Sequence, residues 1–451
     1  MLIPSIDILG GRAVQLVGGE RFELDCGDPL ELAERFSVLG ELAVVDLDAA
    51  MGSGSNLELV AELASRWPCR VGGGVRDEST MRRLLDSGAR SVMVGTRATP
   101  EFLSAFPRER LIAALDFKRG VVMTEGWKTS TGASVADKAA VLAPYVGGII
   151  VTAIEIEGSL SGIDLNASRA LVESIRAAGF DGVLTLAGGV SSAAEVATLD
   201  AMGVDAQVGM ALYKGVLDPA DAFAACLSSD RPDGLWPTVV CDESGVALGL
   251  AYSDAESLKA AITERSGVYR SRRRGLWRKG ESSGDRQTLL RVDADCDRDA
   301  LRFTVRQSGA GFCHRGTRTC FGAVGAAGFG GDDRGFALVS RTTERRLAEV
   351  AAGEAPAGSY TARLFTEPGL LDAKIAEEAA ELCEARGPGR SAEEAADLVY
   401  FVSVKLASEG TSLADVERVL DRRALRVTRR PGNAKSPYRE QGNEAWKTGI
   451  H

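Results

Sequence analysis

Three cysteines and one histidine near residue 300 have the residue types of a metal-dependent hydrolytic site. Cys296, Cys313 and Cys320 lie within 25 positions of one another, and clustered cysteines in a chain without an export signal indicate metal binding before disulfides. Three thiolates suit Zn²⁺ and leave its fourth position open for water, which is the catalytic arrangement. His314, beside Cys313, is placed to move protons for a zinc-activated hydroxide.

Aspartates alternate with a cysteine in the same region, in the run VDADCDRDA. If this run is a strand, its period of two places Asp295, Asp297 and Asp299 on one face and Cys296 on the other. Carboxylate oxygens suit a hard cation such as Mg²⁺. We therefore expect a strand that presents a three-carboxylate magnesium site.

Two further aspartates end apolar runs that are spaced like β-strands. Asp7 follows LIPSI and Asp116 follows LIAAL, and eight such runs alternate with stretches of helical length in the first half of the chain. The pattern predicts a (β/α)8 TIM barrel and is favoured over a doubly wound sheet, which usually has about five or six strands. Asp7 and Asp116 would then face each other across the barrel mouth and divide acid and base roles.

An internal repeat places a glycine pair at two strand ends half a barrel apart. The segments CRVGGGV and LTLAGGV each lead to a later strand-end Val-Gly; Gly74 to Gly95 is 21 positions and Gly189 to Gly209 is 20. Glycines at such ends let backbone N–H groups approach an anion closely. The repeat indicates a ligand with a phosphate at each end, whereas one pair alone would equally fit a tight turn.

Five carboxylates fall on two expected helices near the end of the sequence. Spacings of three and four residues place them on single helical faces, and interleaved apolar residues turn those faces partly inward. Gathered like charges require a cation such as Mg²⁺, unless the face is simply solvated, which is the alternative interpretation. The five are Glu377, Glu378, Glu381, Glu394 and Asp397.

Composition divides the chain into three domains and a tail. SSDRPDGLWP interrupts the barrel pattern, and the Gly/Ala-rich FGAVGAAGFGGDD reads as a second linker. The text between them is strand-like and basic, which indicates a small, mostly-β α+β zinc domain, whereas helical periodicity after it indicates an all-α domain. We predict domains over residues 1–227, 231–325 and 334–432, and a polar tail over 433–451.

Net charge and hydropathy limit the kinds of partner and the location that we expect for this chain. A formal net charge of −10 over 451 residues argues against a nucleic-acid or anionic-membrane surface. Apolar runs fall short of the roughly 20 residues that a membrane helix needs. The start MLIPSIDILGG lacks a basic flank and a cleavage site, so we expect a cytoplasmic location.

The barrel motifs resemble those of a known family. IPSIDILGGRAVQLVGG, VVDLDAAMGSGSN, VGGGVR, VGTRA, LDFKRGVVMTEGW, AGGVSS and VGMALYKG occur in the order found in phosphoribosylformimino-5-aminoimidazole carboxamide ribotide (ProFAR) isomerase. The resemblance implies an Amadori-type aldose-to-ketose rearrangement, with Asp7 as proton acceptor and Asp116 as proton donor. The phosphate-binding residues that it implies are Gly73, Gly74, Gly95, Thr96, Gly188, Gly189 and Gly209.

One segment departs from that family. After the sixth strand the family has a TDI-x-[RK]-DGT pattern, whereas this chain has TAIEIEGS, with Ala153 and Glu157 in place of Asp and Ser159 in place of Thr. Met210 also stands where Arg is common. Glu157 occupies a position that is sometimes given the acid role, and it is one methylene longer than Asp; an ångström of misplacement can cost about 100-fold in rate. An active barrel and an inert scaffold therefore both stay open.

The middle segment resembles phosphoribosyl-AMP cyclohydrolase over residues 231–322. The shared motifs are RPDGL, YRSRRRGLWRKGESSG, DCDRDA and CHRGTRTCF. The resemblance implies hydrolysis of the adenine ring between N1 and C6, with Zn²⁺ on the three cysteines and Mg²⁺ on the three aspartates. It also implies a homodimer with sites between subunits, and binding of substrate phosphates by Arg270, Arg272 and Lys279.

The pattern EExxE…ExxD, preceded by GSYTARLF, resembles the all-α, MazG-like phosphoribosyl-ATP pyrophosphohydrolases over about residues 336–430. That family binds Mg²⁺–triphosphate on these carboxylates and releases pyrophosphate. The three resemblances together describe consecutive steps of histidine biosynthesis on small-molecule substrates. Two rivals are a bifunctional hydrolase with an inert barrel and a non-catalytic regulator that binds nucleotide and metal.

Overall fold

The computed structural model describes residues 1–19, 21–271, 273–321, 335–429 and 432. Arg272, one of the residues expected to bind phosphate, lies outside the described residues. The tail 433–451 and parts of two expected domain ends, 322–325 and 334, also lie outside them.

The first region is a closed barrel of eight parallel strands, as the sequence predicts. Its strands and their hairpin extensions are, in chain order, β1 (Leu2–Leu9), β2 (Arg12–Val17), β3 (Arg21–Gly27), β4 (Leu42–Asp46), β5 (Cys69–Gly72), β6 (Ser91–Val94), β7 (Leu111–Lys118), β8 (Val121–Thr124), β9 (Thr129–Ser134), β10 (Gly148–Ala153), β11 (Val183–Ala187) and β12 (Val204–Val208). The parallel order is β1-β4-β5-β6-β7-β10-β11-β12, and β12 pairs with β1 to close the ring. The first and fifth barrel strands, β1 and β7, therefore stand opposite each other.

Most helices between the strands begin at polar side chains that cap them. Asp46 ends β4 and accepts a hydrogen bond from the backbone N–H of Ala49 at 3.0 Å, and Ser192 and Glu195 form a reciprocal capping box. Single 3₁₀ turns cover Ser37–Leu39, Arg108–Arg110 and Ile154–Ile156. The helices are α1 (Pro29–Phe36), α2 (Leu47–Met51), α3 (Leu57–Arg66), α4 (Glu78–Ser87), α5 (Pro100–Leu103), α6 (Val135–Leu142), α7 (Leu165–Ala177), α8 (Ala193–Ala201), α9 (Met210–Tyr213) and α10 (Pro219–Ala225).

The barrel interior is packed below its mouth. Under the packed layer, the buried guanidinium of Arg70 pairs with Glu41 at 2.6 Å and with Asp205 at 3.4 Å. A filled interior of this kind leaves the carboxyl ends of the strands as the place for a site. The residues of the layer are Ile3, Ala43, Met93, Ile112 and Ile150.

The second region contains a four-stranded sheet, a two-stranded hairpin and one helix, which agrees with the small β domain that the sequence predicts. The sheet order is β14-β13-β18-β17, and β15 pairs with β16. The aromatic ring of Tyr269, on β15, is fully buried against Phe303 and Phe312. The elements are β13 (Trp236–Asp242), β14 (Ala247–Ser253), α11 (Ala255–Glu264), β15 (Val268–Ser271), β16 (Gly275–Arg278), β17 (Gln287–Ala294) and β18 (Leu301–Gln307).

The expectation that Asp295, Asp297 and Asp299 alternate along a strand is wrong. Strand β17 ends at Ala294, and the next residues form the turn to β18. The cause is local, because the Asp295 carboxylate accepts hydrogen bonds from the backbone N–H groups of Asp299 and Ala300, each at 3.1 Å. Aspartate side chains that bond nearby backbone in this way stabilise turns in competition with strands.

The third region is helical, as predicted. Its core contains Leu364, Leu371, Phe401 and Val404, and within the described residues no helix of the chain is both long and apolar enough to cross a membrane. The helices are α12 (Gly335–Ala352), α13 (Tyr360–Thr366), α14 (Leu370–Glu384), α15 (Pro388–Ser408) and α16 (Leu413–Ala424).

The segment after α16 is fastened to the barrel. The carboxylate of Asp86 accepts hydrogen bonds from the backbone N–H groups of Val427 and Thr428, at 2.9 and 3.0 Å. Arg110, largely buried, donates to the carbonyl of Leu425. We call these contacts the C-terminal clasp. The middle domain contacts the barrel through other residues, including an ion pair of 3.0 Å between Arg298 and Asp200.

Candidate active sites

A cavity of about 340 Å³ opens at the carboxyl ends of the barrel strands. Four carboxylates line it: the exposed Glu125, and three that come from β1, β7 and the turn after β10, namely Asp7, Asp116 and Glu157. The sequence predicted that Asp7 and Asp116 would lie across the mouth from each other, and their strands stand opposite. Both carboxylates raise the pKa of Glu157 by their charge, so the protonation of Glu157 depends on the other two groups.

Neutral side chains hold the carboxylate of Asp7. The Ser5 hydroxyl donates to Oδ1 at 2.8 Å, and the Gln15 amide donates to Oδ2 at 3.2 Å. Burial raises the pKa of Asp7 to about 6, while the hydrogen bonds from Ser5 and Gln15 lower it. Hydrogen bonds to the ionised form leave this group a base near neutral pH.

The carboxylate of Asp116 is held by an indole. Trp127 Nε1 donates to Asp116 Oδ2 at 2.7 Å, and burial raises the pKa of Asp116 against the hydrogen bonds from Trp127 and Thr152. Trp127 has a left-handed backbone, with φ of 69°, and its ring packs so closely on Gly19 that a Cβ there would lie 2.2 Å from a ring atom. Sequence reasoning missed Trp127 and Gln15, although both lie inside the quoted barrel motifs.

Glu157 lines the same cavity as the other two carboxylates and contacts the turn of the β2–β3 hairpin. The backbone N–H of Gly19 donates to its Oε2 at 3.2 Å. Burial, then the charges of Asp7 and Asp116, raise the pKa of Glu157 to about 7. A carboxylic acid with this pKa still carries its proton in a substantial fraction of molecules at neutral pH and can act as a general acid.

The two halves of the barrel repeat the same glycine conformation. Gly73 and Gly188 have φ of 97° and 88°, and Gly74 and Gly189 have φ of 67° and 81°. A Cβ on Gly73 would lie 2.2 Å from the carbonyl oxygen of Asp46, and one on Gly188 would lie 2.9 Å from that of Ala153. Only glycine fits these positions, so the backbone is free of side chains where it lines the cavity.

The second Val-Gly of each half also lines the cavity. Around Gly95 a Cβ would meet open space, whereas at Gly209 it would lie 2.4 Å from the Gln15 side chain. The Thr96 hydroxyl accepts a hydrogen bond from the backbone N–H of Glu125 at 3.0 Å. The structure thus brings all seven residues expected to bind phosphate to one cavity, in two groups.

The departure at residue 153 has a structural consequence. Asp46 in the first half caps α2 and accepts two hydrogen bonds from Asn56, at 2.6 and 2.8 Å. Ala153 is the neighbour of Gly188 as Asp46 is of Gly73, and its side chain makes no cap bond to the turn Ile154–Ile156. Met210 is buried and lines the cavity. The strand end next to Gly73 therefore carries a polar cap that the strand end next to Gly188 lacks.

In the middle domain, the structure brings two of the three expected zinc ligands together. The thiols of Cys313 and Cys320 are near enough for each to shift the pKa of the other. The backbone N–H of Arg315 and the Thr317 hydroxyl lower the pKa of Cys313 against a smaller effect of burial, whereas burial and the nearby Cys313 raise that of Cys320 to about 11.

Cys296 does not join that pair within one chain. Among the residues that the structure describes, no group of three potential ligands within 4.8 Å of one another includes a cysteine. A single chain therefore does not complete a three-thiol zinc site. His314 is exposed, next to Cys313.

The three aspartates of the β17–β18 turn do form a compact group. Their carboxylate oxygens lie within 4.8 Å of one another. Burial, then the charges of Asp297 and Asp295, raise the pKa of Asp299. Three oxygens gathered in this way suit Mg²⁺.

The basic residues of the middle domain are engaged within the protein. Arg270 pairs with Asp254 at 3.1 Å and with Glu256 at 2.9 Å. Lys279 is buried and donates to the carbonyls of Asp285 and Gly311, each at 3.1 Å. The structure thus places Lys279 among backbone carbonyls, and Arg270 against acidic residues at the start of α11.

In the helical domain, three of the five expected carboxylates form a group. Glu378 and Glu381 on α14 and Glu394 on α15 have oxygens within 4.8 Å of one another. Hydrogen bonding to Glu394 and its charge raise the pKa of Glu381. Lys374 pairs with Glu378 at 2.8 Å and with Glu377 at 2.9 Å.

Glu377 and Asp397 lie outside this group of three in the described chain. The three remaining oxygens suit a hard cation, and the like charges that raise the pKa of Glu381 are the kind that a bound divalent cation would neutralise.

Three family models match consecutive parts of the chain. A model described as histidine biosynthesis protein matches residues 1–218. Models described as phosphoribosyl-AMP cyclohydrolase and phosphoribosyl-ATP pyrophosphohydrolase match residues 249–322 and 343–424. Their order is the order of the three sites described above.

Curated relatives share parts of the chain. The histidine biosynthesis trifunctional protein of Neurospora crassa is 47% identical over 227 residues, which are 50% of this chain and 24% of that protein. The histidine biosynthesis bifunctional protein of Schizosaccharomyces pombe is 45% identical over 225 residues, 50% of this chain and 51% of that protein. The chain thus spans about a quarter to a half of the length of such relatives.

A smaller relative is covered almost completely. It is the 1-(5-phosphoribosyl)-5-((5-phosphoribosylamino)methylideneamino) imidazole-4-carboxamide isomerase of Gemmatimonas aurantiaca, 42% identical over 230 residues, which are 48% of this chain and 94% of that enzyme. With that coverage, the chain belongs to the histidine biosynthesis protein family, and it carries cyclohydrolase and pyrophosphohydrolase domains after its barrel.

Proposed function

We propose that the chain is a trifunctional enzyme of histidine biosynthesis. The helical domain hydrolyses phosphoribosyl-ATP to phosphoribosyl-AMP and pyrophosphate. The middle domain opens the adenine ring of phosphoribosyl-AMP, and the barrel isomerises the resulting ProFAR by an Amadori rearrangement. Each product is the substrate of the next domain.

The observation that carries the proposal is the barrel mouth, where three carboxylates with raised pKa values line the same cavity as two matching glycine groups. A substrate with a phosphate at each end fits the two glycine groups, because without side chains the backbone N–H groups are open to close approach by an anion. Its reacting sugar carbons would then lie in the middle, where the carboxylates are. Acid–base groups in a cavity with two matching phosphate-binding groups suit an enzyme that isomerises a substrate with two phosphates.

Proton transfer in the barrel follows from the pKa values. Asp7, with a pKa of about 6, is ionised near neutral pH and accepts the proton from the sugar carbon next to the reacting one. Asp116 is the donor that the resemblance implies, and Glu157, with a pKa of about 7, is the carboxyl that keeps a proton in the same range. Either acid protonates the ring oxygen as the sugar opens.

The two hydrolytic domains offer carboxylates to Mg²⁺. Asp295, Asp297 and Asp299 would hold it in the middle domain, and the group of Glu378, Glu381 and Glu394 would hold it in the helical domain. When bound, the cation supplies charge that stabilises phosphate oxygens and orients water. The chain's own part is to gather these oxygens, in the turn between β17 and β18 and on the helices α14 and α15.

The middle domain requires a second copy if three thiols are to hold Zn²⁺. Cys313 and Cys320 are together, and Cys296 is elsewhere in the same chain. We infer a homodimer in which Cys296 of one copy joins the thiol pair of the other, in keeping with the dimer that the resemblance implies. His314, exposed beside the pair, is the residue of this chain that would move a proton there.

One incubation distinguishes the proposal from both rivals. The full-length protein, with Mg²⁺ and Zn²⁺, is given phosphoribosyl-ATP, and products are followed with time by chromatography. We expect pyrophosphate, then ProFAR, then its ketose isomer. Accumulation of ProFAR without the ketose would mean an inert barrel, and retention of phosphoribosyl-ATP without pyrophosphate would mean a non-catalytic binder.

A mixture of variants tests the shared thiol site. Cys296→Ser and Cys313→Ser are each expected to abolish cyclohydrolase turnover and to lower zinc content. Unfolded and refolded or co-expressed together, they should restore about a quarter of wild-type turnover, because half of random dimers are mixed and each has one intact site. A mixture as inactive as the separate variants would contradict a site built from two copies.

A further inference from the structure

A buried carboxylate joins the thiol pair of the middle domain to the first helix of the helical domain. Asp242 ends β13 and is 1% exposed. Its Oδ2 pairs with Arg318 at 2.9 Å and with Arg341 at 3.4 Å. Arg318 and Arg341 come from different domains, so one oxygen links both.

The carboxylate itself is held rigidly. Asp242 Oδ1 accepts hydrogen bonds from the backbone N–H groups of Ser244 and Val246, at 3.1 and 2.9 Å. The backbone N–H of Asp242 donates to the carbonyl of Val246 at 3.0 Å. One oxygen is thus fixed by the turn after β13, and the other is directed at the two guanidinium groups.

Arg318 lies in the segment that carries the thiols. Cys313 donates its backbone N–H to the carbonyl of Thr317 at 3.0 Å, and Phe312 donates to the carbonyl of Arg318 at 2.9 Å. At the other end, Cys320 donates to the carbonyl of Leu248 on β14 at 2.8 Å. The Asp242–Arg318 pair therefore anchors the middle of the loop whose ends present the two thiols.

Arg341 lies on α12, which is packed into the helical domain. Two residues further on, the buried Thr343 hydroxyl lies 3.3 Å from the hydroxyl of Ser403 on α15. The same helix α15 carries Glu394 of the acidic group. A displacement of α12 would therefore move or break the contact of Arg341 with Asp242, and through Arg318 it would alter the position of the thiol loop.

We propose that Arg341 is a positioning residue for the chemistry at Cys313 and Cys320, acting through Asp242 and Arg318. The helical domain is then a structural part of the cyclohydrolase site as well as a catalyst of its own reaction. The part of this inference that concerns turnover rests on the proposed function; the part that concerns the thiol loop does not.

The physical basis is the shared, dry carboxylate. In a buried site a charge pair is strengthened by the low local dielectric. Both guanidinium groups bind the same oxygen, so removal of Arg341 takes away one of the two contacts that hold Asp242 Oδ2 and leaves space beside it. Loss of Arg341 lets Asp242 and Arg318 rearrange toward water, which loosens the loop between the thiols. Local loosening of this kind raises the population of open states in which buried groups react.

The test compares Arg341→Ala with Arg345→Ala in the full-length, metal-free protein. Arg345 is on the same helix, its side chain is 66% exposed, and it pairs with Glu349 at 3.8 Å. The rate of alkylation by iodoacetamide is measured at each cysteine by peptide mass spectrometry, with exposed Cys383 as internal reference. We expect Arg341→Ala to speed alkylation of buried Cys313 by about 3- to 10-fold relative to Cys383, and Arg345→Ala to leave it unchanged.

Activity supplies the second measurement. Arg341→Ala should lower kcat for ring opening several-fold with KM for phosphoribosyl-AMP little changed, while pyrophosphate release from phosphoribosyl-ATP stays as in wild type. Arg341→Lys should restore part of the loss, since it restores the charge. Equal alkylation rates in Arg341→Ala and wild type would overturn the inference, as would equal loss of both activities.

The proposed function can fail separately. A wild-type protein that opens no adenine ring would refute the cyclohydrolase assignment, yet the alkylation rates would still decide whether Arg341 holds the thiol loop.

Discussion

The barrel mouth and the acidic group of the helical domain each gather three carboxylates, but their surroundings differ. In the barrel, Asp7 and Asp116 are held by neutral donors from Ser5, Gln15 and Trp127. In the helical domain, basic side chains stand beside the acids: Lys374 pairs with Glu378, and Arg390 pairs with Glu394 at 3.3 Å.

From this difference in surroundings we expect carboxylates to transfer protons in the barrel and to bind a metal ion in the helical domain. Burial among neutral donors raises carboxyl pKa values into the range where a proton can be given or taken near neutral pH. In the helical group, hydrogen bonding to Glu394 and its charge raise the pKa of Glu381, and a bound divalent ion would relieve this repulsion. We therefore expect proton transfer at the barrel mouth and metal binding in the helical group.

The largest expected effect is in the barrel. Asp7→Asn keeps the shape and the hydrogen-bonding neighbours of the side chain but removes its basicity. We expect isomerase kcat to fall by about 100- to 10,000-fold, the usual contribution of a general base. Ring opening and pyrophosphate release by the same preparation serve as controls. An isomerase rate within a few-fold of wild type would mean that Asp7 is not the base.

The next effect breaks the helical group. Glu381→Gln removes the negative charge from one of the three carboxylates that would bind Mg²⁺. We expect pyrophosphate release to fall by about 100-fold or more at fixed Mg²⁺. Ring opening from supplied phosphoribosyl-AMP should persist. Glu417→Gln, an exposed acid on α16, is the matched control. Loss of both activities in Glu381→Gln would show that the two hydrolytic domains are not independent.

The pH profile sharpens the barrel side of the comparison. Asp7 must be ionised to accept a proton, so isomerase kcat/KM should rise as pH passes about 6. Glu157 must hold its proton to donate, so the profile should fall above about 7. Ser5→Ala removes a hydrogen bond that lowers the pKa of Asp7, and its acid limb should move to higher pH. An alkaline limb that is unchanged in Glu157→Gln would assign that limb to another group.

The smallest expected effect concerns Lys374, the lysine that pairs with the acidic group of the helical domain. Lys374→Gln removes a positive charge that competes with Mg²⁺ at Glu378, and we expect the half-saturating Mg²⁺ concentration to fall by about threefold. Lys405→Gln, which alters a half-exposed lysine on α15 paired with Asp372 and Glu409, should leave it unchanged. A rise in KM for the nucleotide instead would mean that Lys374 contacts substrate.

Much of the fold follows from sequence periodicity. Alternation of apolar strands and helices predicted the barrel, and three- and four-residue spacing predicted the helical domain, because burial imposes these periods on long elements. The carboxylates Asp7 and Asp116 could be placed for the same reason, since strand position fixes which end of a barrel a residue occupies.

Short segments could not be predicted in this way. The run with Asp295 alternates like a strand, but side-chain bonds to the backbone of Asp299 and Ala300 make it a turn. Trp127 reaches Asp116 only because the β8–β9 hairpin folds back with a left-handed residue, and nothing in residue spacing signals that. The distance of Cys296 from the other two thiols depends on tertiary packing, which three cysteines close in sequence do not reveal.

The C-terminal clasp changes the energetics of holding the domains together. Asp86 and the backbone that it binds are 341 and 342 positions apart in the chain. If the domains were separate proteins, a few hydrogen bonds to Val427 and Thr428 would give only weak association. Within one chain the two partners are held at a high effective concentration, often in the millimolar range for short flexible links and lower for long ones. Weak contacts can therefore keep the helical domain on the barrel, and they can be released without separating the three domains.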